Sequence, residues 1–185
     1  MIHPLANSIV TLIKQDPLRM QVLDYVAQLD LPQCYVAAGF VRNLVWDHPH
    51  GYASPTPLND IDVIDFDPID TSYESNLRYE AQLKQRLPEL NWQVRNQANM
   101  HTRNGDESYQ SSLDAMSYWP EKETAVAVKQ SLNGDIECIP SFGLESLFDL
   151  QITPNPKRNR DIFDQRVQSK NWLTQWPKLT ISHSE

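Results

Sequence analysis

Between residues 7 and 29 the apolar side chains Ile9, Leu12 and Ile13, then Leu18, Val22, Val26 and Leu29, recur at spacings of three and four. That is the period of a helix with one buried face. Pro17 divides the stretch into two short helices, because proline fits a first helical turn and not an interior. Residues 34–38 form a short apolar run of strand formers ended by Gly39, and residues 40–46 leave room for two turns of helix. A polar loop over 47–59, with Gly51, Pro49, Pro55 and Pro57, leads into a strand over 61–66. Residues 72–87 read as an amphipathic helix through Leu77, Ala81, Leu83 and Leu87, and residues 92–96 as the next strand.

The second half opens on a polar surface excursion, 102–110, and a short helix whose start is marked by Ser111-x-x-Asp114. Apolar segments 124–128 and 136–139 flank Asn133-Gly134, the strongest short-range signal of a β-hairpin. Residues 143–150 and 160–172 read as helices separated by Pro154 and Pro156, and residues 177–185 as a frayed tail. Helices and strands mix without strict alternation, which predicts an α+β (mixed α/β) fold. A helical segment (1–30), a core (31–150) and a C-terminal helical segment with its tail (151–185) are expected to make one compact domain.

Composition narrows the function. At 185 residues and 40% hydrophobic the chain can bury a core, and its net charge of −8 gives no overall field for gathering phosphate backbones. A nucleic-acid partner would need a local basic patch and is not favoured. No apolar run approaches the roughly 20 residues that cross a bilayer, and the first residues lack a basic, then apolar, leader pattern. A soluble, cytoplasmic protein with no membrane partner is the expectation. Cys34 and Cys138, both in apolar surroundings, read as reduced, buried thiols.

The chemistry concentrates in Asn59-Asp60-Ile61-Asp62-Val63. On a strand, Asp60 and Asp62 share a face with Cα atoms about 6.6 Å apart. Two carboxylates so close call for a cation or for water between them, and hard oxygen ligands with open positions suit Mg²⁺. Upstream, Gly39 allows close backbone approach, the N–H groups at Phe40 open a helix, and Arg42 can neutralise phosphate or tie the helix to a carboxylate. Asp65 and Asp67 fall on the other strand face or in a turn. His48 and His50 belong to a Pro-rich loop, and Asn96 and His101 have no chemistry that demands them. Trp119, Trp172 and Trp176 read as packing anchors, while Lys157, Arg158 and Arg160 form one small basic cluster.

Ala38-Gly39-Phe40-Val41-Arg42-Asn43 followed by Asn59-Asp60-Ile61-Asp62-Val63 resembles the signature of the DNA polymerase beta nucleotidyltransferase superfamily. The nearest form is the Gly-Gly-x-Val-Arg-Asp … Asp-x-Asp pattern of the tRNA nucleotidyltransferases. Residues 96–101, Trp119-Pro120-Glu121 with Thr124-Ala125, and residues 140–144 are similar to a bacterial nucleotidyltransferase-like family of about this chain length, so the resemblance spans residues 36–176. It implies a small mixed sheet flanked by helices, a triphosphate on the turn at Gly39, Phe40 and Arg42, and Mg²⁺ (or Mn²⁺) on Asp60 and Asp62 as the catalytic pair. The implied reaction moves a nucleoside monophosphate from a nucleoside triphosphate, ATP or another, to a hydroxyl acceptor and releases pyrophosphate. A small molecule or protein hydroxyl is the expected acceptor. The sequence departs from the pattern in Ala38 for the first glycine and Asn43 for aspartate. The superfamily's third carboxylate lies on a later neighbouring strand, yet residues 92–96 contain no acid, and Glu137 on the hairpin is the remaining candidate ligand. The alternative is a catalytically silent nucleotide-binding or interaction module. A hydrolase using the pair as acid and base would instead need one carboxyl with a raised pKa.

Overall fold

The computed structural model describes residues 3–183. Two helices split at Pro17 open the chain, α1 (Pro4–Lys14) and α2 (Pro17–Ala27), the second capped by the Asp16 side chain accepting from the Arg19 N–H. β1 (Tyr35–Ala37), α3 (Gly39–His50), β2 (Ile61–Asp65), α4 (Tyr73–Arg86) and β3 (Trp92–Asn96) follow. Next come α5 (Gln97–Asn104), α6 (Ser112–Met116), a single 3₁₀ turn (Lys122–Thr124) and the hairpin of β4 (Val126–Gln130) and β5 (Ile136–Pro140). The chain closes with α7 (Glu145–Phe148), β6 (Gln151–Ile152), α8 (Arg160–Ser169), α9 (Trp172–Gln175) and β7 (Thr180–Ile181).

Five strands form one mixed sheet in the order β3-β2-β1-β4-β5, with β2 and β3 parallel and the other pairs antiparallel. Strand alternation sorts the side chains into two sets. Val36, Ile61, Val63, Trp92, Val94, Val126 and Val128 enter the main core with α1–α4 and the last helices. Tyr35, Ala37, Ile64 and Ala127 face the other way and meet Met116 of α6 in a smaller cluster. That second face is only partly covered. Asp62, Gln93 and Arg95 share its uncovered part, which is a cleft.

Three elements differ from their sequence reading. α3 runs on through Pro49 to His50, well past Trp46. Proline in a last turn forfeits one backbone bond; here the His50 ring nitrogen meets the Trp46 carbonyl at 2.6 Å, and Gly51 closes the helix in the left-handed region at φ 66°. α5 forms where a polar stretch gave no apolar period, started by the Asn96 side chain accepting from the Ala98 N–H. In the tail, Thr180–Ile181 pairs in parallel with β6 instead of fraying, and residues 184–185 lie outside the described residues.

Candidate active site

The turn between β1 and α3 is built around Ala38. Its backbone sits at φ 60°, ψ −127°, a region that residues with a Cβ seldom enter. Three hydrogen bonds hold it: the Ala38 N–H donates to the Val126 carbonyl at 3.0 Å, and its own carbonyl accepts from the Val41 and Arg42 N–H groups. With those two bonded, the N–H groups of Gly39 and Phe40 are left without an acceptor inside the helix. A Cβ on Gly39 would stand 3.2 Å from Arg42 Nη2 and 3.3 Å from Asn43 Nδ2, so glycine is what lets the Arg42–Asn43 pair fold back over the turn. The Phe40 side chain takes no part in the cleft. It is fully buried in the core, with the Arg19 guanidinium 5.4 Å over its ring.

Arg42 is buried between two indoles, 5.0 Å from Trp46 and 4.6 Å from Trp172. It donates to Thr124 Oγ1 at 2.7 Å and to Asn43 Oδ1. Thr124 in turn donates to Glu121, which receives the Arg166 Nε at 2.5 Å. Burial lowers the Arg42 pKa to about 10, against the pull of Glu121. The guanidinium is thus clamped as a scaffold, and the residue borders the cleft.

Asp60 lies one residue before β2 and Asp62 within it, opposite Ala37 of β1 and Gln93 of β3. Both line the same cleft. Asn91 Nδ2 donates to Asp60 Oδ1. Burial, and then the charge of Asp60, raise the Asp62 carboxyl above its ordinary pKa, while Arg42, Lys170 and Arg166 pull it down. Two carboxylates that repel each other, beside cations suited to phosphate, are a donor set that fits a hard divalent cation.

The cleft has two lobes that meet at Ala38, Asp60, Asp62, Thr124, Arg166 and Lys170. The narrow lobe, about 80 Å³, runs along Gly39, Arg42, Asn43 and Asn59 towards Trp172 and Trp176. The wide lobe, about 770 Å³, opens along Gln93, Arg95, Met100, Arg103, Tyr118, Trp119 and Arg158.

A nucleotidyltransferase family profile matches residues 24–181. The chain belongs to that family. Its structure is similar to a solved structure described as revealing a CCA-adding enzyme head domain, with 34% identity, 96% of each chain covered and a TM-score of 0.84. It is also similar in fold to a CCA-adding enzyme in complex with CTP (14% identity, TM-score 0.59, 95% of this chain and 43% of that one). A Thermotoga maritima CCA-adding enzyme complexed with tRNA gives 15% identity, a TM-score of 0.59, and coverage of 95% and 42%. The chain therefore spans less than half the length of those two enzymes. No curated protein matches.

Within this nucleotidyltransferase fold, Glu137 does not join the aspartates. Asp62 stands in register with Ala37, Ala127 and Ile139, so β5 lies three strand spacings away, about 14 Å, and Glu137 two residues further along it. Its carboxylate pairs with Lys129 at 3.3 Å. The neighbour of Asp62 on β3 is the neutral Gln93. Among the described residues no group of three His, Cys, Asp or Glu side chains is placed to hold a metal ion.

Of the secondary candidates, Asn96 is structural: it is buried and its carboxamide binds the backbone of Asp67 and Asp70. His101 packs on Tyr109, and His48 and His50 end α3. The basic cluster disperses, Arg158 into the wide lobe on Asp106, Lys157 to Ser117 and Arg160 to Asp164. Trp119 lines the wide lobe instead of serving only as a packing anchor. Thr124 belongs to the family-like segment 119–125, whereas Arg166 and Lys170 carry no motif, although residues four apart on a helix project to the same side.

Proposed function

We propose that this nucleotidyltransferase moves a nucleoside monophosphate from a nucleoside triphosphate to a hydroxyl acceptor, with Asp60 and Asp62 as the pair that holds Mg²⁺ or Mn²⁺. The observation that carries the reading is the meeting of the two aspartates with the Ala38–Gly39 turn at the junction of the lobes. At about 80 Å³ the narrow lobe is too small for a nucleoside, which leaves it for the phosphates. Free N–H groups at the start of α3, Arg42 and Lys170 suit the β- and γ-phosphates there. The divalent cation would neutralise charge developing on the phosphate oxygens. Lys170 and Arg166 would stabilise the departing pyrophosphate, while β2 fixes Asp62 and the Asn91 side chain holds Asp60 just ahead of the strand.

A ligand that binds only the folded state raises its stability by mass action. Thermal unfolding with each common nucleoside triphosphate is therefore expected to give a Mg²⁺-dependent rise in Tm. That rise should vanish in Asp60→Asn and Asp62→Asn. A rise that survives both substitutions would remove the aspartates from the site.

One observation favours a second reading, nucleotide binding without turnover: Gln93 stands beside Asp62 where a third acid could lie. Pyrophosphate release with a panel of hydroxyl acceptors separates the two. Nucleotide binding with no release under any acceptor supports the binding module.

A further inference from the structure

We infer that the wide lobe is the acceptor site and that it selects a small hydroxyl compound bearing a phosphate monoester, held by Arg103. The inference rests on the reading above, in which the pyrophosphate leaves along the narrow lobe. In-line displacement puts the attacking oxygen and the leaving group on opposite sides of the phosphorus. With the leaving group beside Gly39 and the phosphorus at Asp60 and Asp62, the acceptor hydroxyl must arrive from the wide lobe.

The lining of that lobe states what it accepts. Five cations, Arg95, Arg103, Arg158, Arg166 and Lys170, face two carboxylates, those of Asp60 and Asp62. Three of the cations are already neutralised: Arg95 by Glu80 at 3.2 Å, Arg158 by Asp106 and Arg166 by Glu121. Among the described residues, Arg103 and Lys170 have no carboxylate within 4.0 Å. Lys170 belongs to both lobes and acts on Asp62. Arg103, in the last turn of α5, lines the wide lobe alone. It is the charge left over for the acceptor.

Size and charge favour a small acceptor over a nucleic-acid end. A volume of 770 Å³ lies within the roughly 300–1,000 Å³ of small-molecule sites, which leaves room for a nucleoside and one further small molecule. The lobe offers only two unpaired cations, in a chain of net charge −8, which is little for the multiple phosphate contacts that dominate polynucleotide binding.

The test is calorimetric titration of wild type, Arg103→Ala and Arg103→Lys, each with Mg²⁺ and a saturating α,β-methylene analogue, tried for each of the common nucleoside triphosphates. The probes are ribose 5-phosphate, glycerol 3-phosphate and glucose 6-phosphate, each beside its unphosphorylated parent, and a single-stranded hexanucleotide with a free 3′-hydroxyl. The expected result is that at least one monoester binds wild type while its parent does not. Its affinity should fall about tenfold in Arg103→Ala, as loss of a charge-assisted contact implies, and recover in part in Arg103→Lys. Analogue binding without any preference for a monoester, or a hexanucleotide that binds more tightly than every monoester, overturns the inference alone. Failure of every analogue to bind overturns the reading above and the inference with it.

Discussion

Ala38 concentrates the strain of the turn at one residue. Its φ of 60° is enforced by the hydrogen bond to Val126 and by the two bonds its carbonyl accepts, and such a conformation costs on the order of 1–3 kcal/mol. Ala38→Gly relieves that cost and gives back part of it as chain entropy. The expected net gain of about 1 kcal/mol corresponds to a Tm rise of about 2–4 °C for a chain of this size; an unchanged or lower Tm on thermal unfolding would show that the turn is unstrained. Asp65, only 2% exposed, carries a second local cost. Its Oδ1 has no partner, and burial, then the charges of Asp67 and Asp70, push its carboxyl up to about 7. Because the folded state holds this proton more tightly than the unfolded chain, whose value is 3.8, stability should fall as pH rises from about 4 to about 7 and then level off. Asp65→Asn is expected to flatten that decline and to be the more stable protein at pH 8, by at most about 4 kcal/mol. Urea unfolding at pH 4.5 and pH 8 measures it, and equal pH slopes for the two proteins would refute it.

The elements around the site are tied by contacts distant in sequence. Asp47, in the penultimate turn of α3, accepts from the Thr56 N–H at 2.7 Å and from Trp176 Nε1 at 2.8 Å, while Trp176 packs edge-on against Trp46 at 5.1 Å. One carboxylate therefore fastens the loop before β2 and the end of α9 to the helix that carries the phosphate turn. Asp47→Ala strands buried donors and is expected to cost about 2–4 kcal/mol, read as a lower urea midpoint; a loss below about 0.5 kcal/mol, the range of ordinary surface changes, would mean that the three segments are held by packing alone. The local elements were legible where period and punctuation agreed, as at Pro17 and at Asn133-Gly134. α3 outruns its sequence reading because Pro49 reads locally as a stop, whereas the His50 ring, Gly51 and the tryptophan contacts make the extra turn worthwhile. The place of Glu137 is illegible in sequence for a different reason. Strand order and register are long-range properties, and nothing in residues 124–139 says that β5 lies three spacings from β2.

At the scale of the whole molecule, a chain of net charge −8 places a basic lining along one cleft in the uncovered face of its sheet. Gly39, Arg42, Asp60 and Asp62 could be picked out from the sequence because they fall in two short segments. Arg158 stands out in sequence only as part of a basic cluster, and Arg95, Arg103, Arg166 and Lys170 do not stand out at all, since the five come from β3, α5, the segment before α8, and α8 with its C-cap, and meet only in the fold. No helix among the described residues is long and apolar enough to cross a membrane. In the proposed site, Asp60 and Asp62 hold a divalent cation together with a triphosphate on the turn at Gly39. Electron paramagnetic resonance of Mn²⁺ tests it directly, with wild type, Asp62→Asn and Ala38→Gly titrated in the presence and absence of α,β-methylene analogues of the common nucleoside triphosphates. The account predicts tight Mn²⁺ binding that requires an analogue, persists in Ala38→Gly and falls at least tenfold in Asp62→Asn. Equal binding by wild type and Asp62→Asn would contradict it.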